Sequence, residues 1–225
     1  MLIVDSMTDD EIIKLFEEIE KPLIMRKLAE AGKNLRHVIK NTRNTERRKF
    51  KPIEYSTSRG FNIIIQCYDE GINTPRHKRL GAYYYAWFRR KPGIHLLTYS
   101  CLERTVWHYS LFIPHFFDRY NERFLKDSSL TKPEIIKLYL NNNSAVAAMR
   151  LQINNARHPD EYWMTCNDGI CLCTNPKGYF VKVKTFISWD MLGLDQRLFA
   201  INSKEYIQKI GRNLSVPEEF YEDIT

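Results

Sequence analysis

Residues 108 to 125 read HYSLFIPHFFDRYNERFL, and they gather acid/base and cationic side chains into the length of one short element. His115, Arg119 and Arg123 recur at i, i+4 and i+8. A helix advances about 100° per residue, so that spacing sets all three in a row along one edge. An imidazole titrates near neutral pH and can move a proton. Two guanidinium forks one helical turn apart suit a phosphate and its neighbour. These are the parts that cleavage of an RNA phosphodiester needs: a base for the 2′-hydroxyl, an acid for the leaving 5′-oxygen and cations for the phosphorane. His108, on an expected strand just upstream, is the candidate second acid/base. The plain alternative gives the same residues structural roles. Arg119 and Arg123 then pair with Asp118, Glu122 or other carboxylates as surface ion pairs worth about 1 kcal/mol or less, while His115 caps the helix and His108 is half buried.

The element that must position this row is an amphipathic helix over 115–125, entered through Pro114. Phe116, Phe117, Tyr120 and Phe124 share one arc and face a core. The cations run along the neighbouring edge, where their stems can cover apolar surface while the heads line a cleft. Upstream, TVWHYSLFI reads as a strand. Downstream, TKPEIIKLYLNN reads as a second helix, with Thr131 and Glu134 at capping-box spacing, and SAVAAMRLQINNA is expected to be helical too. EYWMTC, GICLCT and YFVKVKTFIS follow, separated by Asp-Gly and Pro/Gly turns, the signature of an antiparallel meander. In the last run, period-2 alternation sets Tyr179, Val181, Val183, Thr185 and Ile187 on one face. Phe180, Lys182, Lys184 and Phe186 fall on the other, unless a bulge intervenes.

IPHFFDRYNERFL, followed by a helix, DGICLC and VKVKTFIS, resembles the small ribonuclease-type domains of barnase, EndoU, the colicin nucleases and RelE-like toxins. The resemblance covers roughly residues 108–192 and does not extend to the first 60. It implies helices on a four-stranded antiparallel sheet, and a metal-independent site lined by His115, Arg119, Arg123 and Thr185. It further implies a toxin or RNA-processing role, with RNA as substrate and an inhibitor or antitoxin protein as a partner.

Charge points to the same class of partner. The chain of 225 residues has a formal net charge of +7, which favours a polyanion such as nucleic acid. The charge is segregated: residues 5–20 carry seven acids against Lys14, and residues 33–51 carry eight lysines and arginines against Glu46. The candidate RNA-binding residues are Arg47, Arg48, Lys49, Arg76, Lys78, Arg79, Arg89 and Arg90. A rival reading needs no catalysis. In a nucleic-acid- or protein-binding module the basic N-terminal helix and the RHKR and RRK loops grip phosphates, and the aromatics of AYYYAWF stack on bases or simply pack.

Five cysteines, an odd number, and an N-terminus that turns acidic at once suggest reduced thiols, no secretory leader and a cytoplasmic protein. Cys166, Cys171 and Cys173 lack the paired knuckles of structural zinc sites and read as small buried hydrophobes. No metal or cofactor is expected. The motifs of P-loop, dinucleotide-binding, zincin and serine-hydrolase enzymes are missing, and no apolar run is long enough to span a bilayer.

The expected class is α+β: an antiparallel sheet packed with helices, plus an N-terminal helical appendage. The appendage occupies residues 1–50, acidic then basic, and the α+β domain occupies 51–225. The appendage opens at Thr8 with Glu11 completing a capping box, and continues as a helix from Pro22 to Lys40. The stretch NTRNTERRKFKP reads as a linker or a frayed basic tail of that helix, FNIIIQCY as a strand, and AYYYAWF and IHLLTYS as the arms of a hairpin. A last helix is expected over 203–209.

Overall fold

The computed structural model describes residues 2–43, 45–46, 48–75, 79–99, 109–143, 147–149, 161–174, 179–195 and 197–198. The fold is α+β, with a largely antiparallel sheet packed against helices. The chain forms two compact units, the first ending at Lys91 and the second beginning at Pro92. The helical stretch expected over 1–50 is present, and its unit continues through four strands to Lys91.

The first unit starts with α1 (Asp9–Leu15), a π-helical segment (Phe16–Glu20) and α2 (Lys21–Lys40). Thr8 and Glu11 cap each other's orphan backbone donors, as their spacing predicts. The widened turn ends just before Pro22, which has no N–H to donate and crowds the carbonyl four residues back. There the Lys21 N–H reaches five residues back, to the Phe16 carbonyl. Four strands follow: β1 (Arg48–Lys49), β2 (Ile53–Ser56), β3 (Asn62–Asp69) and β4 (Leu80–Arg90). β3 pairs antiparallel with β4 on one side and with both β1 and β2 on the other. Within the stretch expected as a linker, Arg48–Lys49 is therefore an edge strand on β3, and Pro52, which lacks a ladder donor, lies between it and β2. Ile63, Ile65, Ala86 and Phe88 are buried, as are Ile12, Ile13, Phe16, Ile24 and Leu28 on the helices. Phe61 meets Phe16 at 5.3 Å and Phe88 at 5.5 Å between ring centroids, both edge to face.

The second unit contains β5 (Gly93–Tyr99), β6 (Tyr109–Phe112), α3 (Pro114–Tyr120) with a π-helical extension (Asn121–Leu125), and α4 (Lys132–Asn142). It continues with β7 (Ala147–Met149), β8 (Glu161–Thr165), β9 (Gly169–Thr174) and β10 (Phe180–Ser188). Its strand order is β5-β6-β10-β9-β8-β7. All pairs are antiparallel except β6 with β10, which run parallel because the antiparallel run β7, β8 and β9 carries the chain back to the end where β6 begins. The expected meander is β8-β9-β10. The helix expected over SAVAAMRLQINNA is corrected at Ala147–Met149, a strand on β8 where ladder hydrogen bonds outweigh the helix propensity of alanine; the rest of that stretch lies outside the described residues. The helix expected over 203–209 lies outside the described residues.

Candidate functional site

α3 is held by its apolar face. Phe116, Phe117 and Tyr120 are fully buried, and Tyr139 of α4 meets them at 5.1, 6.2 and 5.1 Å. Phe186 of β10 packs on Phe116 at 6.1 Å and on Tyr120 at 5.0 Å. Phe124 lies at the margin of the cluster, 38% exposed, with its ring stacked on Tyr120. Each buried ring contributes roughly 1.5–3 kcal/mol of burial, so the edge beside them is rigidly carried.

On that edge the sequence row partly assembles. His115 is exposed, and its Nε2 accepts a hydrogen bond from Arg119 Nε at 3.2 Å. Arg119 also binds the exposed Glu122 at 2.5 Å. Arg123 donates instead to the backbone carbonyl of Phe186, tying the end of the helix to β10. Asp118 pairs with Lys132 at the start of α4. The helix closes at Lys126, a left-handed residue (φ 55°), whose N–H reaches the Asn121 carbonyl at 2.7 Å.

Thr185 does not join this row. The ladder between β9 and β10 shifts at Lys184: Val183 pairs with Cys173, and Thr185 with Leu172. This bulge inverts the alternation beyond it. Val183 and Phe186 then share the face that meets α3 and α4, and Thr185 lies on the opposite face with Leu172. The alternation read from the sequence, with Val183 and Thr185 together, is corrected by that one extra residue. His108, the expected second acid/base, lies outside the described residues.

Behind the helix row is a partly buried polar network at the β8–β9 turn, of which the sequence reading recognised only the Asp-Gly turn itself. Asp168 accepts hydrogen bonds from the Tyr120 hydroxyl at 2.7 Å and Asn143 Nδ2 at 2.8 Å. Burial first, then the bond to Asp168, pushes the Tyr120 phenol well above its usual range. Cys166, Cys171 and Cys173 are buried free thiols. Burial, then the neighbouring Cys166, pushes the thiols of Cys171 and Cys173 upward, so they remain neutral near pH 7 rather than acting as thiolates. Among the described residues no group of three or more His, Cys, Asp or Glu is placed to hold a metal ion.

The basic candidates of the first unit divide into two sets. Arg79 is buried, and its fork engages both oxygens of Asp69 at 2.9 and 2.5 Å. It also donates to the carbonyls of Ile39 and Thr42, where α2 ends and backbone acceptors lack helical partners. Arg90 binds the Met7 carbonyl at 2.8 Å and the Asp9 carboxylate, fastening the approach to α1. Expected at a nucleic-acid surface, these two arginines instead hold the unit together, because each has a carboxylate and backbone carbonyls within reach. Arg48, Lys49 and Arg89 are exposed. Arg47, Arg76 and Lys78 lie outside the described residues.

Further exposed cations extend the second set. Arg26, Lys33 and Lys40 follow at i, i+7 and i+14, so they form one stripe along α2, opposite the buried Ile24, Leu28 and Ile39. Arg43 and Lys51 are exposed as well. Between residues 26 and 51 the exposed charged side chains are Arg26, Lys33, Lys40, Arg43, Arg48, Lys49 and Lys51 against Glu30 and Glu46, among the described residues. Among the described residues, too, no helix is long and apolar enough to cross a membrane. No protein-family model, curated protein or solved structure matches the chain.

Proposed function

We propose that the chain is a nucleic-acid-binding protein that grips the phosphate backbone of RNA with the first unit, along α2 and β1. The observation that carries this reading is the excess of exposed cations over exposed acids between residues 26 and 51. Arg26, Lys33 and Lys40 among them sit on a helix whose other face is anchored in the core, so their placement needs no ligand. Each phosphate neutralised releases condensed counterions, which makes such binding fall steeply with salt.

Fluorescence anisotropy of a labelled RNA tests it. Affinity should drop by orders of magnitude between about 50 and 200 mM salt. Lys33→Glu with Lys40→Glu, two exposed positions, should weaken binding and lower the slope of log affinity against log salt by about 2. No binding at low salt, salt-independent binding, or a charge-reversed variant indistinguishable from wild type would overturn the proposal.

A second reading rests on the hydrogen bond between Arg119 and His115. It joins an exposed imidazole to a guanidinium, a pairing suited to holding and protonating a phosphate oxygen. In it the chain is a metal-independent endoribonuclease-like toxin or RNA-processing protein, with His115 as general acid or base. Incubation of labelled RNA in EDTA, with wild type and with His115→Ala, separates the two. Cleavage reduced about 10²- to 10⁴-fold in the variant supports catalysis; intact RNA with both proteins leaves binding alone.

A further inference from the structure

The first unit carries a second set of groups that the phosphate contacts leave unexplained. Alternation along β3 and β4 puts Phe61, Ile63, Ile65, Tyr84, Ala86 and Phe88 on the face that packs against the helices. The opposite face carries Tyr68, Tyr83, Tyr85 and Trp87. Register orders these into rows across the sheet: Lys49 opposite Tyr68 opposite Gly81, then Gln66 opposite Tyr83, then Glu54 opposite Ile64 opposite Tyr85, then Ser56 opposite Asn62 opposite Trp87. Tyr68, Tyr83 and Trp87 are half-buried, while Ile64 and Tyr85 are buried in the middle of the face.

Two details make this more than a collection of aromatic residues. A Cβ on Gly81 would lie 2.3 Å from the Tyr68 ring. The glycine therefore lets that ring lie across the neighbouring strand, and its centroid comes to 6.0 Å from that of Tyr83. Cations also flank the rings. Lys49 stands directly opposite Tyr68, and Arg89 follows Trp87 on the same face; both are exposed. Two acids accompany them: Glu54 opposite Ile64, and Glu70, which follows Tyr68 just beyond the end of β3.

We infer that this face stacks the bases of a single-stranded nucleic acid, with Lys49 and Arg89 receiving the phosphates on either side. The inference rests on the phosphate-binding reading above, and adds to it the form of the ligand. Aromatic platforms flanked by cations bind single strands because every base has a π-face. Residues i and i+2 on one face of a strand are about 7 Å apart, roughly twice the spacing of about 3.4 Å along a regular nucleic-acid helix. Successive rings therefore fit bases that have been drawn apart. A duplex keeps its base faces stacked and offers only its backbone.

The experiment uses the full chain at low salt and three ligands of equal length: a single-stranded RNA oligonucleotide, the same backbone without bases, and a duplex. The single strand should bind more tightly than the other two. Tyr83→Ala and Trp87→Ala should each weaken it by about 5- to 150-fold, with the salt slope unchanged. Tyr83→Phe and Trp87→Phe should retain binding, since a phenyl ring still stacks. Equal affinity for the base-free and ordinary strands overturns the inference whether or not the alanine variants fold. So do folded alanine variants that bind like wild type. In those outcomes salt-dependent binding persists and the phosphate reading stands; failure to bind any of the ligands sinks both.

Discussion

The two units of the molecule bury different chemistry. The first encloses charge. Asp69 and Arg79 are 1% and 4% exposed and locked together, and Glu20 is fully buried with Arg59 at 3.6 Å. The second encloses rings, thiols and neutral polar groups: Phe112, Phe116, Phe117, Tyr139 and Phe186, with Cys171, Cys173, Ser110, Asn143 and Thr165. A buried ion pair is directional. Arg79 can join a helix end to a strand because its fork reaches Asp69 and two carbonyls at once. Ring packing is non-directional and extends over a wide contact, which is what holds α3 and α4 on their sheet. The first unit thus uses charge as a fastener in the interior and displays unburied cations along α2 and β1 outside. In the second, the half-buried Arg119 and Arg123 run along a helix whose position depends on apolar contact.

The largest effects should come from breaking each unit by its own means. Phe116→Ala removes a ring packed on Phe112, Phe117, Tyr139 and Phe186 and should cost about 3–5 kcal/mol in urea denaturation. Asp69→Ala should cost about as much, about 3–5 kcal/mol, because it strands the buried Arg79 without a counter-charge. The contrast lies in the rescue. Replacing both partners, as Asp69→Leu with Arg79→Leu, should recover much of the loss, since two apolar side chains leave no uncompensated charge. If the double variant is no better than Asp69→Ala, the pair's hydrogen bonds to the end of α2 matter more than its charge balance.

Opposite ends of the pH scale should sharpen the same contrast. Burial raises the Asp69 carboxyl, but the hydrogen bonds of Arg79, then the Gly71 N–H and the charges of Arg79 and Arg48, outweigh it and hold the carboxyl below its ordinary range. A depressed carboxylate contributes stability that is present above the unfolded pKa and lost as pH falls through the folded one. The first unit should therefore weaken below about pH 4. In the second, burial raises Cys171, Cys173 and Tyr139, whose unperturbed values are 9.0, 9.0 and 10.0. Raised acids contribute stability that is present below the unfolded pKa and lost as pH climbs towards the folded one. The second unit should weaken from about pH 9 upward. Hydrogen exchange resolved by residue can follow β3 and β9 separately, and full protection of β3 retained well below about pH 4, or of β9 retained well above about pH 10, would break the assignment.

The smallest effect belongs to the α3 edge. Arg119→Lys keeps a charge near the exposed Glu122 and loses the planar fork on His115. Stability should change by less than about 1 kcal/mol, as for surface pairs generally. A larger loss in thermal melting would mean that this edge supports the core as well as decorating it.

The sequence by itself determined the features whose causes lie within a few residues. Thr8 with Glu11 and Thr131 with Glu134 close capping boxes across three residues, and Pro22 and Pro114 stand at helix entrances. The aromatic arc of α3 follows from periodicity, and so do the strands at FNIIIQCY and GICLCT. The tertiary structure decided what depends on a partner strand or a distant chain end. Nothing local marks Lys184 as the bulge that turns Thr185 away from the helix row; the shift exists only in the register with β9. Nothing local distinguishes Arg79, which is buried, from Arg89, which is exposed, since the fate of Arg79 depends on Asp69 ten residues back and on the end of α2 some forty residues back. Helix caps are short-range, so composition and spacing reveal them. Burial of a charge and the face of a strand are set by which neighbours the fold brings within hydrogen-bonding reach.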